Sequence, residues 1–253
     1  MPINADDWPE RFGLNEIPAL PCPRCGKGRM NAKKPKEGLE PAYSINEHSH
    51  DAWEPSWVTE RYVLEFRCGE AKCGEVSVMV CDAAAVEALD EEHGWIYETQ
   101  LTPKYVFPAP HLFQIPENVP KSISEPLIDA FTHYWGDEAS SANKLRVSVE
   151  ALMDHWAIPK LVQGKNKKAW QLSLQGRIEL AAKNGFGEKD ALEAVKWVGN
   201  VGSHDAGHKF SKKALVEVME VYEDIIKEEF VNKSHKAKLK VAVKKIISKK
   251  GKI

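Results

Sequence analysis

The stretch PCPRCGKG, residues 21–28, places two cysteines three positions apart in a turn that is rich in proline and glycine. The stretch FRCGEAKCGE, residues 66–75, carries a second pair of cysteines. In each turn two thiolates can point at one cation, while glycine relieves the backbone and frees amide donors to the sulfurs. Two such turns form a tetrahedral four-sulfur site. We therefore predict that the chain binds zinc through Cys22, Cys25, Cys68 and Cys73.

Disulfide pairing is the alternative interpretation of these cysteines. The N-terminus MPINADDWPE is acidic, where a secretory signal would be basic and then apolar, so we expect a cytoplasmic protein, and disulfides are rare in that compartment. No apolar run approaches the roughly 18 residues that cross a bilayer, which predicts that no membrane is a partner. The fifth cysteine, Cys81, lies in the apolar run VSVMVC and is predicted to be a buried strand residue.

The sequence around the two cysteine pairs favours β structure. WVTERYVLEFRC, from Trp57, alternates large and polar residues, and EVSVMVC continues beyond the second turn. This pattern predicts a β-rich zinc-ribbon-like domain over residues 14–100. The proline-rich stretch TPKYVFPAPHLFQIPENVP then predicts a connector over residues 101–120, because proline disfavours both helices and central strands.

Helical periodicity follows the connector. It predicts five helices, in the segments SEPLIDAFTHYWGDE, SSANKLRVSVEALMDHW, AWQLSLQGRIELAAKNG, EKDALEAVKWVGNVGSH and SKKALVEVMEVYEDIIKEEF. Start signals are expected at Ser124, at Ser140 or Ser141, and at Ser211, and glycines near 136, 185 and 207 suit helix ends. Short connections favour an all-α antiparallel bundle over residues 121–232, so that the fold class of the chain is α+β.

The charge is distributed unevenly along the chain. Residues 1–232 carry a net charge of −11, whereas residues 233–253 hold nine lysines and no acidic residue. The spacing of apolar residues in this tail predicts an amphipathic helix. The tail is a candidate for binding phosphate backbones, and the alternatives are that it folds back on the acidic body or stays solvated. The lysines that we consider for nucleic-acid binding are Lys236, Lys240, Lys244 and Lys245.

GNVGSH, residues 199–204, closes the fourth predicted helix. At about 100° per residue, the core stripe of this helix contains Ala191, Val195, Val198 and Gly202. A second stripe, formed by Lys196, Asn200 and His204, is predicted to face away from the core, roughly 165° from the first. The sequence leaves two interpretations open. In the first, Gly202 and Gly207 end the helix, Asn200 and Ser203 bond to loose backbone groups, and His204 lies by the negative end of the helix dipole. In the second, His204 and Asn200 form a metal-independent ribonuclease site in which the Lys196 cation holds phosphate.

A family resemblance bears on this choice. The FPxP…IPxxVP connector, the helix with NKLRVSVEALMD and the run RIELAAKNGF…EKDALEAVKWVGNVGSH resemble the bacterial family called domain of unknown function 4145. The resemblance covers about half of the chain, and GN-x-G-x-H is its most recognisable element. It implies a HEPN-like bundle, since that superfamily includes the family and many dimeric ribonucleases of toxin–antitoxin and anti-phage defence systems.

The sequence departs from the HEPN ribonuclease pattern at one position. Asn200 and His204 match the polar residue and the histidine, but Gly199 stands where the family arginine would be. The cations nearest to it in the predicted bundle are Lys196 and, from the second helix, Arg146 or Lys144. Arg146 is therefore also a candidate nucleic-acid-binding residue, although lysine is not a simple substitute for a bidentate phosphate clamp.

Three functions follow as hypotheses. The first is a nucleic-acid-associated defence factor of the anti-phage or toxin type, in which the ribbon recognises RNA or DNA and the bundle forms a homodimer. The second is a metal-independent endoribonuclease that uses His204 and Asn200 across the dimer. The third is a non-catalytic adaptor that binds a partner protein of a defence system. The sequence contains neither of the nucleotide-binding motifs GxxxxGK[ST] and GxGxxG. It also lacks the metalloprotease motif HExxH and the hydrolase motif GxSxG.

Overall fold

The computed structural model describes residues 7–33, 35, 37–90, 92–163, 169–204, 211–233, 235–236, 238–240 and 243, without the side chains of 201–204. It divides into two compact units. The sheet unit comprises Ile3–Leu112 with Phe131–Glu138, and the helical unit comprises Phe113–Ala130 with Ala139–Ile253. The chain is therefore α+β, as its sequence predicts.

The sheet unit is built on one antiparallel sheet of six strands in the order β1-β6-β5-β4-β3-β2. Its strands are β1 (Phe12–Gly13), β2 (Leu20–Pro21), β3 (Arg29–Ala32), β4 (Thr59–Cys68), β5 (Val76–Asp90) and β6 (Gly94–Phe107). Between β3 and β4 lie a short helix, α1 (Ala42–Glu47), and a 3₁₀ turn over Pro55–Trp57.

Buried and exposed residues alternate along the central strands, as expected for a sheet with one covered face. Leu64 and Phe66 of β4, Met79 of β5 and Val106 of β6 point to one face and are buried. Cys81 of β5 is also fully buried, which confirms its predicted place in a strand.

Strand β6 differs from the predicted connector. It continues to Phe107, seven residues into the stretch 101–120, and includes Pro103. The register between β5 and β6 shifts between Val80 and Cys81, which face Tyr105 and Pro103. A bulge of this kind leaves a residue out of the ladder, so that a proline without an N–H is tolerated there.

Among the described residues, the helical unit contains three whole helices and most of two others, because the end of α2 and the first residue of α3 belong to the sheet unit. They are α2 (Lys121–His133), whose last turn belongs to the sheet unit, α3 (Glu138–His155), α4 (Leu174–Lys183), α5 (Lys189–His204) and α6 (Lys212–Lys227), with a π-helical turn over Glu228–Asn232. Between α3 and α4 lies a hairpin of β7 (Leu161–Gln163) and β8 (Ala169–Gln171). The prediction that a helix begins near Ala169 is thus wrong, because this segment pairs with β7.

Helix ends agree only in part with the predicted signals. Ser211 caps α6, since its Oγ accepts from the amide of Ala214. Gly185 follows α4 with a φ of 77°, a conformation that favours glycine. Ser124, Ser140 and Ser141 lie inside helices rather than at their starts. Ser141 instead donates to the carbonyl oxygen of Ala130, a tertiary contact that local sequence does not reveal.

The core of the helical unit joins α2, α3 and α6. Ser148 of α3 donates from Oγ to the carbonyl oxygen of Ile123, and its Oγ lies 2.8 Å from the hydroxyl of Tyr222. Leu145, Leu152 and the neighbouring apolar side chains are fully buried around this contact. None of the described helices has the length and apolar character that crossing a membrane requires.

Candidate metal cluster and the Arg146–Asn200 site

The four predicted metal ligands come together in the sheet unit. Cys22 and Cys25 lie in the turn between β2 and β3, Cys68 ends β4, and Cys73 lies in the turn before β5. All four sulfurs lie within 4.8 Å of one another. The Sγ atoms of Cys22 and Cys73 are 3.7 Å apart and those of Cys25 and Cys68 are 3.8 Å apart, so the closest approaches join different turns.

Backbone geometry holds the two turns in matching conformations. Gly26 and Gly74, each directly after the second cysteine of its turn, have φ values of 61° and 60°. The amide of Gly28 donates to the sulfur of Cys25, and the amide of Glu70 donates to the sulfur of Cys68. None of the five cysteines forms a disulfide bond, which contradicts the disulfide alternative. The cluster is a candidate metal site.

The thiols of the cluster differ in acidity. Amide hydrogen bonds from Gly28 and Lys27 lower the pKa of Cys25 to about 6. The amide of Glu70 lowers the pKa of Cys68, but burial and the three neighbouring thiols raise it by more, to about 12. Four thiolates this close repel one another strongly, so that full ionisation needs a bound cation.

Helix α5 is oriented differently from the predicted wheel. Lys196, predicted to face outward, is buried with an exposure of 7%. Its ammonium contacts Oε1 of Gln175 from α4 and lies 4.2 Å from the ring centroid of Trp197. Leu192 and Val195 form the buried stripe together with Gly199, whereas Val198 is only half-buried. The physical reason is that α4 and α6 both pack against α5, so that more than one of its faces is covered.

The side chain of Arg146 reaches the predicted site from α3. Its Nη1 donates to Oδ1 of Asn200 at 2.8 Å, and its Nε donates to Oε1 of Glu150 at 3.3 Å. The side chain of Arg146 is 26% exposed. The helical unit thus joins two of the residues predicted from sequence.

Gly199 makes this contact possible. A Cβ atom at this position would lie 2.6 Å from Cβ of Arg146 and 3.1 Å from the carbonyl oxygen of Ala142. Because glycine has no side chain, α3 and α5 approach closely at this point. Gly199 therefore packs directly against the stem of Arg146.

The other predicted site residues are His204 and the lysines of the tail. His204 is the last residue of α5, and its side chain lies outside the described part of the chain. Lys236 pairs with Glu228, eight residues earlier in the chain, at 2.8 Å. Lys240 is exposed, while Lys244 and Lys245 lie outside the described residues.

Two contact residues of this site were not predicted from the sequence. Glu150 lies four residues after Arg146 on the same helix, a spacing that could have indicated the ion pair. Gln175 comes from α4, and no local signal connects it to Lys196.

Fold and sites together define an α+β protein in which a sheet unit carries a four-cysteine cluster and a helical unit carries an arginine–asparagine pair. Residues 129–249 belong to the family described as domain of unknown function (DUF4145), the family that the sequence resembles. Residues 10–106 match the family described as domain of unknown function (DUF8608). No curated protein and no solved structure matches the chain significantly.

Proposed function

We propose that this protein is a nucleic-acid-associated defence factor of the toxin type, which binds RNA phosphates through a HEPN-like bundle. The observation that carries the proposal is the hydrogen bond from Arg146 to Asn200. It supplies a guanidinium beside the polar residue of the GN-x-G-x-H motif, in which Gly199 stands where HEPN ribonucleases have an arginine.

The chemistry of this pair suits a phosphate ligand. Glu150 and Asn200 engage Nε and Nη1 of Arg146 and so fix the plane of its guanidinium. Nη2 is then available to donate to a phosphate oxygen, and the positive charge strengthens that hydrogen bond. The amide nitrogen of Asn200 supplies a second donor next to the guanidinium.

The test is equilibrium binding of a fluorescent single-stranded RNA to the full chain, measured by anisotropy at several salt concentrations. We expect Arg146→Ala to weaken binding about tenfold and to reduce the salt dependence, because one phosphate contact is lost. The matched control is Lys144→Ala, which removes a cation from the same helix that pairs with Asp129 instead. Equal effects of the two substitutions would contradict a specific role for Arg146.

Ribonuclease activity is the second candidate function. His204 ends α5 one turn after Asn200, and an imidazole at that point can act as a general acid or base. Cleavage of RNA by the wild-type chain but not by His204→Ala, with free divalent ions chelated, would establish it. Binding without cleavage would leave the non-catalytic defence factor as the function, and neither binding nor cleavage would favour the protein-binding adaptor.

Zinc is the ion that we propose for the four-cysteine cluster. With Zn–S bonds of about 2.3 Å, a tetrahedral site separates its sulfurs by about 3.8 Å. The Sγ distances of 3.7 Å and 3.8 Å fit this value, and the amides of Gly28 and Glu70 supply the outer hydrogen bonds that such sites use. Zinc would tie the β2–β3 turn to the β4–β5 turn and so organise a ribbon that recognises nucleic acid.

The proposal includes a homodimer. Trp197 of α5 is 61% exposed, and an exposed large ring can be covered by a second subunit. A second copy of α5 packed on this ring would place two Arg146–Asn200 pairs near one another, as a HEPN-like dimer requires. Sedimentation of Trp197→Glu should show a monomer where the wild-type chain is a dimer, and a wild-type monomer would contradict this part.

A further inference from the structure

A large cleft lies within the helical unit, on the side of α6 where its C-terminal end and the π-helical turn meet the start of α5. The cleft has a volume of about 1180 Å³. Its apolar wall includes Ile115, Trp156 and Val221, while α5 contributes Ala191. A cleft of this size is large enough for a ligand of several hundred daltons.

The charge of the lining is strongly acidic. Six carboxylate side chains line the cleft against the two lysines Lys227 and Lys233. The carboxylates belong to Glu117, Glu188, Glu223, Asp224, Glu228 and Glu229. An excess of carboxylates around a partly apolar cleft favours a cationic ligand that also has hydrocarbon to bury.

Glu223 is the acidic residue that most needs such a ligand. Its side chain is only 3% exposed, and one carboxylate oxygen, Oε1, pairs with Nζ of Lys227 at 2.7 Å. The other oxygen, Oε2, is buried and has no hydrogen-bond partner within the described part of the chain. A buried carboxylate oxygen without a donor is costly, so an N–H donor from a ligand would be bound favourably.

At one edge of the cleft, the chain holds an alkylammonium group of its own. The ammonium of Lys233 lies 5.2 Å from the ring centroid of Phe186 and 5.9 Å from that of Trp156. These two rings stack on each other with an interplanar angle of 18°. The same ammonium pairs with Glu229. Aromatic rings and a carboxylate together form a cradle for a primary amine on a methylene stem.

We propose that this cleft is a binding site for a linear polyamine. Such a molecule carries several ammonium groups joined by methylene chains, which matches separate carboxylates along a partly apolar wall. It offers N–H donors and no acceptor, as Oε2 of Glu223 requires. A divalent cation fits less well, since the four cysteines are the one cluster of potential metal ligands that the described residues form.

Calorimetric titration of the full chain with spermidine, at roughly physiological ionic strength, tests the proposal. We expect one spermidine per chain and a loss of affinity of about tenfold in Glu223→Gln, because a charged hydrogen bond becomes a neutral one. Asp224→Asn removes a cleft carboxylate that is exposed, so it keeps the test valid if Glu223→Gln fails to fold. We expect it to weaken binding as well.

The control is Glu217→Gln, which removes the same charge from an exposed position of α6 outside the cleft. Unchanged affinity in this variant supports a specific site. Equal weakening by the Glu217 and cleft substitutions would show general charge attraction and overturn the proposal. Absence of spermidine binding, or binding only of a lysine-rich peptide with the sequence of residues 233–253, would overturn it too.

Discussion

Gly199 is the residue at which packing and function meet most closely. The structure predicts that Gly199→Ala destabilises the helical unit, because the added Cβ would press on Cβ of Arg146 and on the carbonyl oxygen of Ala142. We expect a loss of about 1–3 kcal/mol in the free energy of unfolding, as for other overpacked core positions. Urea denaturation followed by circular dichroism measures it.

Gly176→Ala is the matched control for this prediction. A Cβ at Gly176 of α4 would meet Cδ2 of Leu172 at 3.1 Å, the flexible end of a side chain that can move. Helix propensity then favours alanine, so stability should stay the same or rise by up to about 1 kcal/mol. Equal stability of the two variants would show that the close approach of α3 and α5 is not a constraint.

Asp154 gives the helical unit a defined dependence on pH. Burial raises the pKa of Asp154, but hydrogen bonds and positive charge from Lys160 and Arg177 lower it by more, to below its ordinary value of 3.8. A carboxyl group with a depressed pKa stabilises the fold above its unfolded pKa and loses this contribution as the pH falls through its folded pKa.

The stability difference between wild type and Asp154→Asn should therefore be full near pH 6 and should shrink below about pH 4. Urea midpoints at several pH values measure this difference. Asp129→Asn, at a more exposed carboxylate that pairs with Lys144, should change stability little. A difference for Asp154→Asn that persists unchanged down to about pH 2.5 would contradict the account.

At the scale of elements, the two cysteine turns carry the clearest prediction. Cys68→Ser should abolish binding of about one zinc per chain and destabilise the sheet unit, because β3 and β4 are joined beside this residue. Cys81→Ala is the control, since this buried thiol lies outside the cluster and the variant should keep its metal. Metal analysis of the purified proteins, with thermal unfolding, gives the result.

Retention of metal by Cys68→Ser would show that Cys68 is not a ligand. A wild-type chain purified without any metal and unable to take up zinc would contradict the proposed ion. Loss of metal in Cys81→Ala would show that the cluster depends on the strand core rather than on its four sulfurs alone.

Some strands and turns could be predicted from the sequence, whereas the orientation of one helix could not. The cysteine turns and the strand in which Cys81 is buried follow from local spacing and alternation, which are properties of neighbouring residues. The orientation of α5 does not follow from local spacing, because α3, α4 and α6 all pack against this helix. Lys196 is buried where its ammonium contacts Gln175 of α4, and no pattern within α5 indicates that contact.

The same limit applies to the Arg146–Asn200 pair. The two residues are 54 positions apart, and each is an ordinary surface-type residue in its own helix. The helical spacing of α5 supplied Asn200 and the family resemblance supplied Arg146, and Gly199 explains their contact only once the helices are placed. Pro103 shows the same limit in the sheet. The sequence predicted a connector at this proline, but the strand continues through it because a bulge lies beside it.

At the scale of the whole molecule, acidic and basic regions have separate proposed roles. The first lysines of the tail already pair with acidic residues of the π-helical turn, Lys233 with Glu229 and Lys236 with Glu228. Deletion of residues 238–253 should therefore reduce the salt dependence of RNA binding while leaving the Arg146 contribution intact. Anisotropy titrations of the truncated chain measure it, and loss of the Arg146 effect on truncation would refute separate contacts.

The most direct measurement of the central claim is a double-mutant cycle on RNA binding, with Arg146→Ala, Asn200→Ala and both substitutions together. If the two side chains act as one phosphate-binding unit, each single variant should weaken binding, and the double variant should bind little worse than Arg146→Ala. RNA affinities that are the same for all four proteins would contradict the claim that this pair binds nucleic acid.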